Sequence, residues 1–185
     1  MNNIWEENLY NTMNDFNPVG VIALDIIKEK IPTATSAGFN FPGMTKGEAM
    51  DQACANVQDM IHRWTTGQEV QQIPTKLALR GHLSPEDENK TRVVWISPIE
   101  HILLENMLFR GFTSQVATGY HFHDMFMTGH KTIERLNGYL ADKPELSFVN
   151  TDISGWDAHR AIFITKDVFH KVLKPRINFT EPWHS

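Results

Sequence analysis

The stretch on which the fold turns runs Lys76-Leu77-Ala78-Leu79-Arg80, then Ser84-Pro85-Glu86-Asp87-Glu88-Asn89, then Lys90-Thr91-Arg92-Val93-Val94-Trp95-Ile96. Two basic segments flank a polar turn, and Val93 to Ile96 has the composition of a buried strand. The pattern predicts two basic strands joined by that turn. A capping box follows: Ser97 as N-cap, Pro98 at N1 where its missing N–H costs nothing, and Glu100 at N3. Ile99, Ile102, Leu103 and Leu104 then predict a helix that ends near Gly111.

Toward the N-terminus, Thr45 and Glu48 have the same capping spacing. Met50, Ala53, Cys54, Val57, Ile61 and Trp64 follow at intervals of three and four, which makes one apolar helical stripe, and Gly67 is the expected stop. Before it lies a loop of small residues, Pro32 to Gly43, containing Thr35-Ser36-Ala37-Gly38-Phe39. Val21 to Ile27 is a short apolar run of either type. Toward the C-terminus, helices are predicted over Lys131–Leu140 and from about Ala158 to Leu173, the second ended by Pro175. Leu146 to Ile153 reads as a strand leading into Thr151-Asp152-Ile153-Ser154-Gly155-Trp156-Asp157. The final residues, Thr180 to Ser185, lack the character of a domain end, and the sequence reads as cut there.

Composition bounds these readings. The 185 residues are 41% hydrophobic and 21% charged, which suits a globular chain able to build a core. Lys and Arg number 17 against 22 Asp and Glu, a net charge of −5, so nucleic acid is not held by bulk positive charge. Any such site must be a local patch. Cys54 is the only cysteine, which excludes an intrachain disulfide and cysteine-based zinc sites. No apolar run approaches the roughly 20 residues that span a bilayer. The start, Met1 to Glu6, lacks the basic and apolar parts of a signal peptide.

Three clusters carry chemistry. Asp152 and Asp157 leave the end of a predicted strand, where a carboxylate is placed to bind a hard cation such as Mg²⁺. Equally, Ser154 and Asp157 have capping spacing, and Asp157 then only starts a helix. Arg80, Lys90 and Arg92 suit one wall of a phosphate-binding groove, or a solvated face paired with Glu86, Asp87 and Glu88. His121, His123, Asp124 and His130 form a third cluster, in which the two nearest histidines would share a face if they lie on a strand. A metal-dependent hydrolase built from His121, His123, Asp124 and Asp152 is one rival reading. A non-catalytic RNA-binding or interaction module using the basic hairpin is another.

Taken in order, Ser36-Ala37-Gly38 with Thr45-Lys46-Gly47-Glu48, Arg80 with Lys90–Trp95, and Asp152 with Asp157 resemble motifs G, F and A of viral RNA-dependent RNA polymerases. The likeness is greatest to those of the partitivirus and picobirnavirus kind, and Pro98 to Glu105 also resembles the helix after motif F in that group. It covers roughly residues 33 to 173. The resemblance implies an α+β right-hand polymerase fold, in part: fingers over residues 1–145 and the first strand and helix of the palm over 146–185. It implies Asp152 as ligand of catalytic Mg²⁺ or Mn²⁺, and Asp157 near the ribose 2′-hydroxyl. Arg80, Lys90 and Arg92 would lie on the nucleoside triphosphate, and Ser36 and Gly38 against the RNA template. The expected partners are RNA template and nascent strand, NTPs, and the remaining palm and thumb. The expected setting is the virion of a double-stranded RNA virus in the host cytoplasm. Gly-Asp-Asp and Ser-Gly-x-x-x-Thr, which follow motif A in the family, do not occur. The 185-residue chain alone is therefore expected not to polymerise RNA.

Overall fold

The computed structural model describes residues 17–81, 91–118, 141 and 162–179. The elements are short strand β1 (Val19–Gly20), helix α1 (Leu24–Lys28), helix α2 (Lys46–Thr65), strands β2 (Lys76–Gly81) and β3 (Thr91–Ile96), helix α3 (Ile99–Thr118), helix α4 (Ile162–Asp167) and strand β4 (Ile177–Asn178). Two compact units are defined by packing: residues 22–110, and residues 1–21 with 111–185.

In the first unit, α2 follows from its sequence at both ends. Thr45 Oγ1 accepts from the Glu48 N–H at 3.3 Å, and the Glu48 carboxylate accepts from the Thr45 N–H at 2.7 Å. These two bonds satisfy donors that a helix start otherwise leaves bare. The far end closes on Gly67, whose φ of 72° is the left-handed conformation that suits glycine. Gly67 N–H donates to Trp64 O and Gln68 N–H to Arg63 O, the paired bonds of a Schellman motif. The predicted stripe is buried at Met50, Ala53, Val57 and Ile61, joined by Ala49 and Met60. Cys54 is half-buried, and Trp64 at its end is exposed.

The predicted strand pair is present as an antiparallel ladder from Lys76↔Ile96 to Gly81↔Thr91. It departs from expectation in burial. Val93 and Trp95 are exposed and Val94 and Ile96 half-buried, so β3 is a surface strand. A run of four apolar residues reads as buried on both faces, but side chains in a strand alternate, and here one face stays open.

Two expectations for α3 are also corrected. The helix continues through Gly111 to Thr118. Gly111 is in the helix because β1 needs room: a Cβ there would stand 2.7 Å from Val19 Cγ1 and 2.8 Å from Val19 Cβ. Glu100 is not the third residue of a capping box. Its side chain is fully buried and bonded elsewhere, and the Ile102 N–H donating to Pro98 O opens the helix. Leu103 and Met107 continue the buried stripe.

In the second unit, β1 pairs with β4 in parallel, Val19 against Ile177. Gln115 clamps the start of β1, its Oε1 accepting from the Asn17 N–H at 2.9 Å and its Nε2 donating to Asn17 O at 3.0 Å. Among the described residues, the expected last helix is α-helical over α4, then widens to a π-helical turn at Val168–Leu173 and tightens to a 3₁₀ turn at Lys174–Arg176. Pro175 accounts for the change. Its ring cannot sit over the carbonyl four residues back, so the preceding turn opens and the Lys174 N–H reaches Phe169 O instead. The chain then enters β4 directly. The predicted helix at Lys131–Leu140 and strand at Leu146–Ile153 lie outside the described residues.

Candidate functional site

The glycine loop is held by its own backbone. Ser36 bridges to Thr45, Ala37 N–H donates to Met44 O at 3.1 Å, and Lys46 N–H donates to Thr35 O at 2.7 Å. The loop is therefore stapled to the first turn of α2. Ser36 Oγ accepts from the Gly38 N–H at 3.3 Å, which tightens the bend.

Gly38 has φ of 100°, and a Cβ there would lie 2.7 Å from Pro98 Cα and 3.1 Å from Ser97 O. Glycine is thus required twice over, for its dihedral and for space. The backbone that it approaches is the chain's own, at the exit of β3. Ile99 N–H donates to Ala37 O at 2.9 Å across the same junction.

Beneath this junction sits Glu100. Its Oε1 accepts from Asn40 Nδ2 at 2.9 Å and from Asn56 Nδ2 at 3.0 Å. Gln52 Nε2 donates to Asn56 Oδ1 at 3.1 Å, which orients the Asn56 amide toward the carboxylate. Glu100 Oε2 is buried with no partner among the described residues. Sequence reasoning missed this group because proline and capping spacing gave a sufficient local account. The available signal was periodicity: Glu100, Leu103 and Met107 share the helical face that is buried.

The hairpin is different in kind. Its described strands hold Lys76, Arg80 and Arg92 and no acidic residue. The register sets Arg80 directly opposite Arg92. Like charges at paired positions disfavour a sheet unless an anion shares them. Arg80 is exposed. On the alternate positions, Leu77 pairs with Trp95 and Leu79 with Val93, and all four are exposed, Leu79 to 70% and Trp95 to 68%.

Of the candidate residues, the structure places Ser36, Gly38, Arg80 and the backbone of Arg92 in the same unit, residues 22–110. Lys90, Asp152, Asp157, His121, His123, Asp124 and His130 lie outside the described residues. No group of three or more His, Cys, Asp or Glu side chains among the described residues is placed to hold a metal ion. No helix among them is long and apolar enough to cross a membrane.

The glycine loop, the exit of the basic hairpin and the start of α3 thus meet at one corner of the first unit. The family model for viral RNA-dependent RNA polymerases matches residues 2–185, and the chain belongs to that family. Among curated proteins it is similar to the RNA-directed RNA polymerase of Cryptosporidium parvum virus 1 (strain KSU-1), 27% identical over 155 residues. That alignment covers 81% of this chain and 29% of the relative, so the chain spans under a third of the relative's length. No solved structure matches the chain.

Proposed function

We propose that the chain forms the fingers and the start of the palm of an RNA-dependent RNA polymerase of a double-stranded RNA virus, working inside the virion in the host cytoplasm. The reaction is attack of an RNA 3′-hydroxyl on the α-phosphate of an NTP. A phosphodiester bond forms, the α–β phosphoanhydride bond breaks, and pyrophosphate leaves. The hairpin supplies fixed cations for the triphosphate, with Arg80 and Arg92 able to take phosphate oxygens bidentately. Fixed cations of this kind stabilise charge on the leaving group without reorganising. The Ser36–Gly38 loop lies along the template, and Asp157 reads the ribose 2′-hydroxyl. Asp152 would hold a divalent cation, which would supply Lewis-acid chemistry at the phosphate when bound. The remaining palm and thumb complete the enzyme.

The observation that carries this reading is the ladder register. Two arginines at paired positions, in strands with no acidic residue, make a site that a phosphate chain would relieve. Binding of inorganic tripolyphosphate to the purified chain, titrated over salt, tests it. Arg80→Ala is expected to weaken that binding and to flatten its salt dependence, because one fixed cation is lost. An unchanged slope and affinity would remove Arg80 from the site. If Asp152→Ala leaves the activity of the completed polymerase intact, Asp152 is not the ligand of the catalytic cation; a completed chain that binds RNA but incorporates no NTP would put the non-catalytic RNA-binding reading in its place.

A further inference from the structure

We propose that Glu100 is a positioning residue whose buried carboxylate locks the Ser36–Gly38 loop to the exit of the basic hairpin. Its functional meaning rests on the polymerase reading, in which the loop serves template and the hairpin serves NTP. Three segments converge on one oxygen. Asn40 brings the loop, Asn56 brings α2, and Glu100 itself stands four residues after the last residue of β3. The Asn40 bond spans 60 positions of sequence, and the Asn56 bond spans 44. Above them the Ala37–Ile99 bond and the Gly38–Pro98 approach close the same junction.

A carboxylate fully removed from water costs free energy, and nothing in local helix formation requires it. Leucine would suit the buried stripe beside Leu103 better. What the carboxylate provides is an acceptor that two amides can share. Asn40 is itself exposed, so its bond adds direction to the loop and little to the core. The unpartnered Oε2 sharpens the expectation. Glutamine keeps the shared acceptor, and its amide nitrogen would replace an oxygen to which no described group donates. Glu100→Gln should therefore keep the junction, and Glu100→Ala should release it.

The test uses the full 185-residue chain and two measurements. The first is amide hydrogen exchange at Ala37 and Ile99, compared with Val57 inside α2. Asn40→Ala and Glu100→Ala are expected to speed exchange at Ala37 and Ile99 about tenfold or more, with Val57 little changed and Glu100→Gln close to the parent. Uniform acceleration at all three amides, or none at Ala37 and Ile99, would overturn the proposal. Asn40→Ala keeps the test valid if Glu100→Ala does not fold. The second measurement is the coupling between a single-stranded RNA oligonucleotide and inorganic tripolyphosphate, each titrated with and without the other. The parent is expected to bind the two with mutual reinforcement, and Asn40→Ala to bring the coupling factor near one while each ligand still binds. Unchanged coupling in a variant whose loop has been released would refute positioning. A parent chain that binds neither ligand would refute the polymerase reading of these segments, and the exchange comparison would still decide whether Glu100 holds the loop.

Discussion

The Glu100 corner and the β2–β3 hairpin lie in one unit and are built on opposite plans. The corner is buried and cross-bonded: Gly38 against Pro98, Ala37 to Ile99, and two amides on one carboxylate. The hairpin is held by its own ladder and leaves Leu77, Leu79, Val93, Trp95 and Arg80 at the surface. Stability is concentrated in the first, and capacity for contact in the second. In the proposed polymerase the two plans would be complementary, because a cationic arm positions a ligand only if its base does not move.

Leucine to alanine measures this contrast most strongly. Leu103 has no exposure, and Leu103→Ala is expected to cost about 2–5 kcal/mol in urea denaturation. Leu79→Ala, at 70% exposure, should fall within about 0.5 kcal/mol of the parent. Similar costs at the two sites would break the distinction.

Glycine to alanine comes next. Gly38→Ala combines left-handed strain with a Cβ placed 2.7 Å from Pro98 Cα, and should cost about 2–4 kcal/mol. At Gly81, a Cβ would meet nothing within 4 Å and φ is not positive, so Gly81→Ala should be near neutral. The same denaturation series decides it. A tolerated Gly38→Ala would mean that the junction is looser than its distances state.

The smallest effect concerns acid. The Thr45 backbone N–H, and then its hydroxyl, hold the Glu48 carboxyl below the usual carboxylate range. A lowered folded value contributes stability that is present above the unfolded pKa of about 4.3 and lost as pH falls through the folded value. The parent should therefore lose slightly more stability than Glu48→Gln across that acid window. Parallel pH–stability curves for the two chains would show that the exposed cap contributes nothing measurable.

Helix α2 was legible from end to end, because a capping box, a stripe and a glycine stop are all local signals. The hairpin was legible as two strands and not in its exposure, since burial depends on what covers a face. Gly111 and Glu100 were misread for one reason: each has a local meaning, as helix stop or cap, that a distant contact overrides. Val19 explains the glycine, and Asn40 and Asn56 explain the glutamate. The π-helical turn needed both Pro175 and the following strand to be seen together. For the site, Ser36 and Gly38 lie at the corner and Arg80 and Arg92 are paired in the ladder, and the buried carboxylate bonded to Asn40 and Asn56 was invisible to motif reading.

The span of the Asn40–Glu100 bond also bears on how the chain folds. Both α2 and the hairpin lie within the 60-residue separation it closes, and each can form from near neighbours alone. Closing a loop of that length costs about 3–4 kcal/mol of chain entropy if nothing between its ends is yet ordered. Elements formed first shorten the flexible path and lower that barrier. The corner is accordingly expected to form late, after the helix and the ladder exist. Mutations there should speed unfolding more than they slow folding, whereas mutations within α2 should act on both limbs of a chevron.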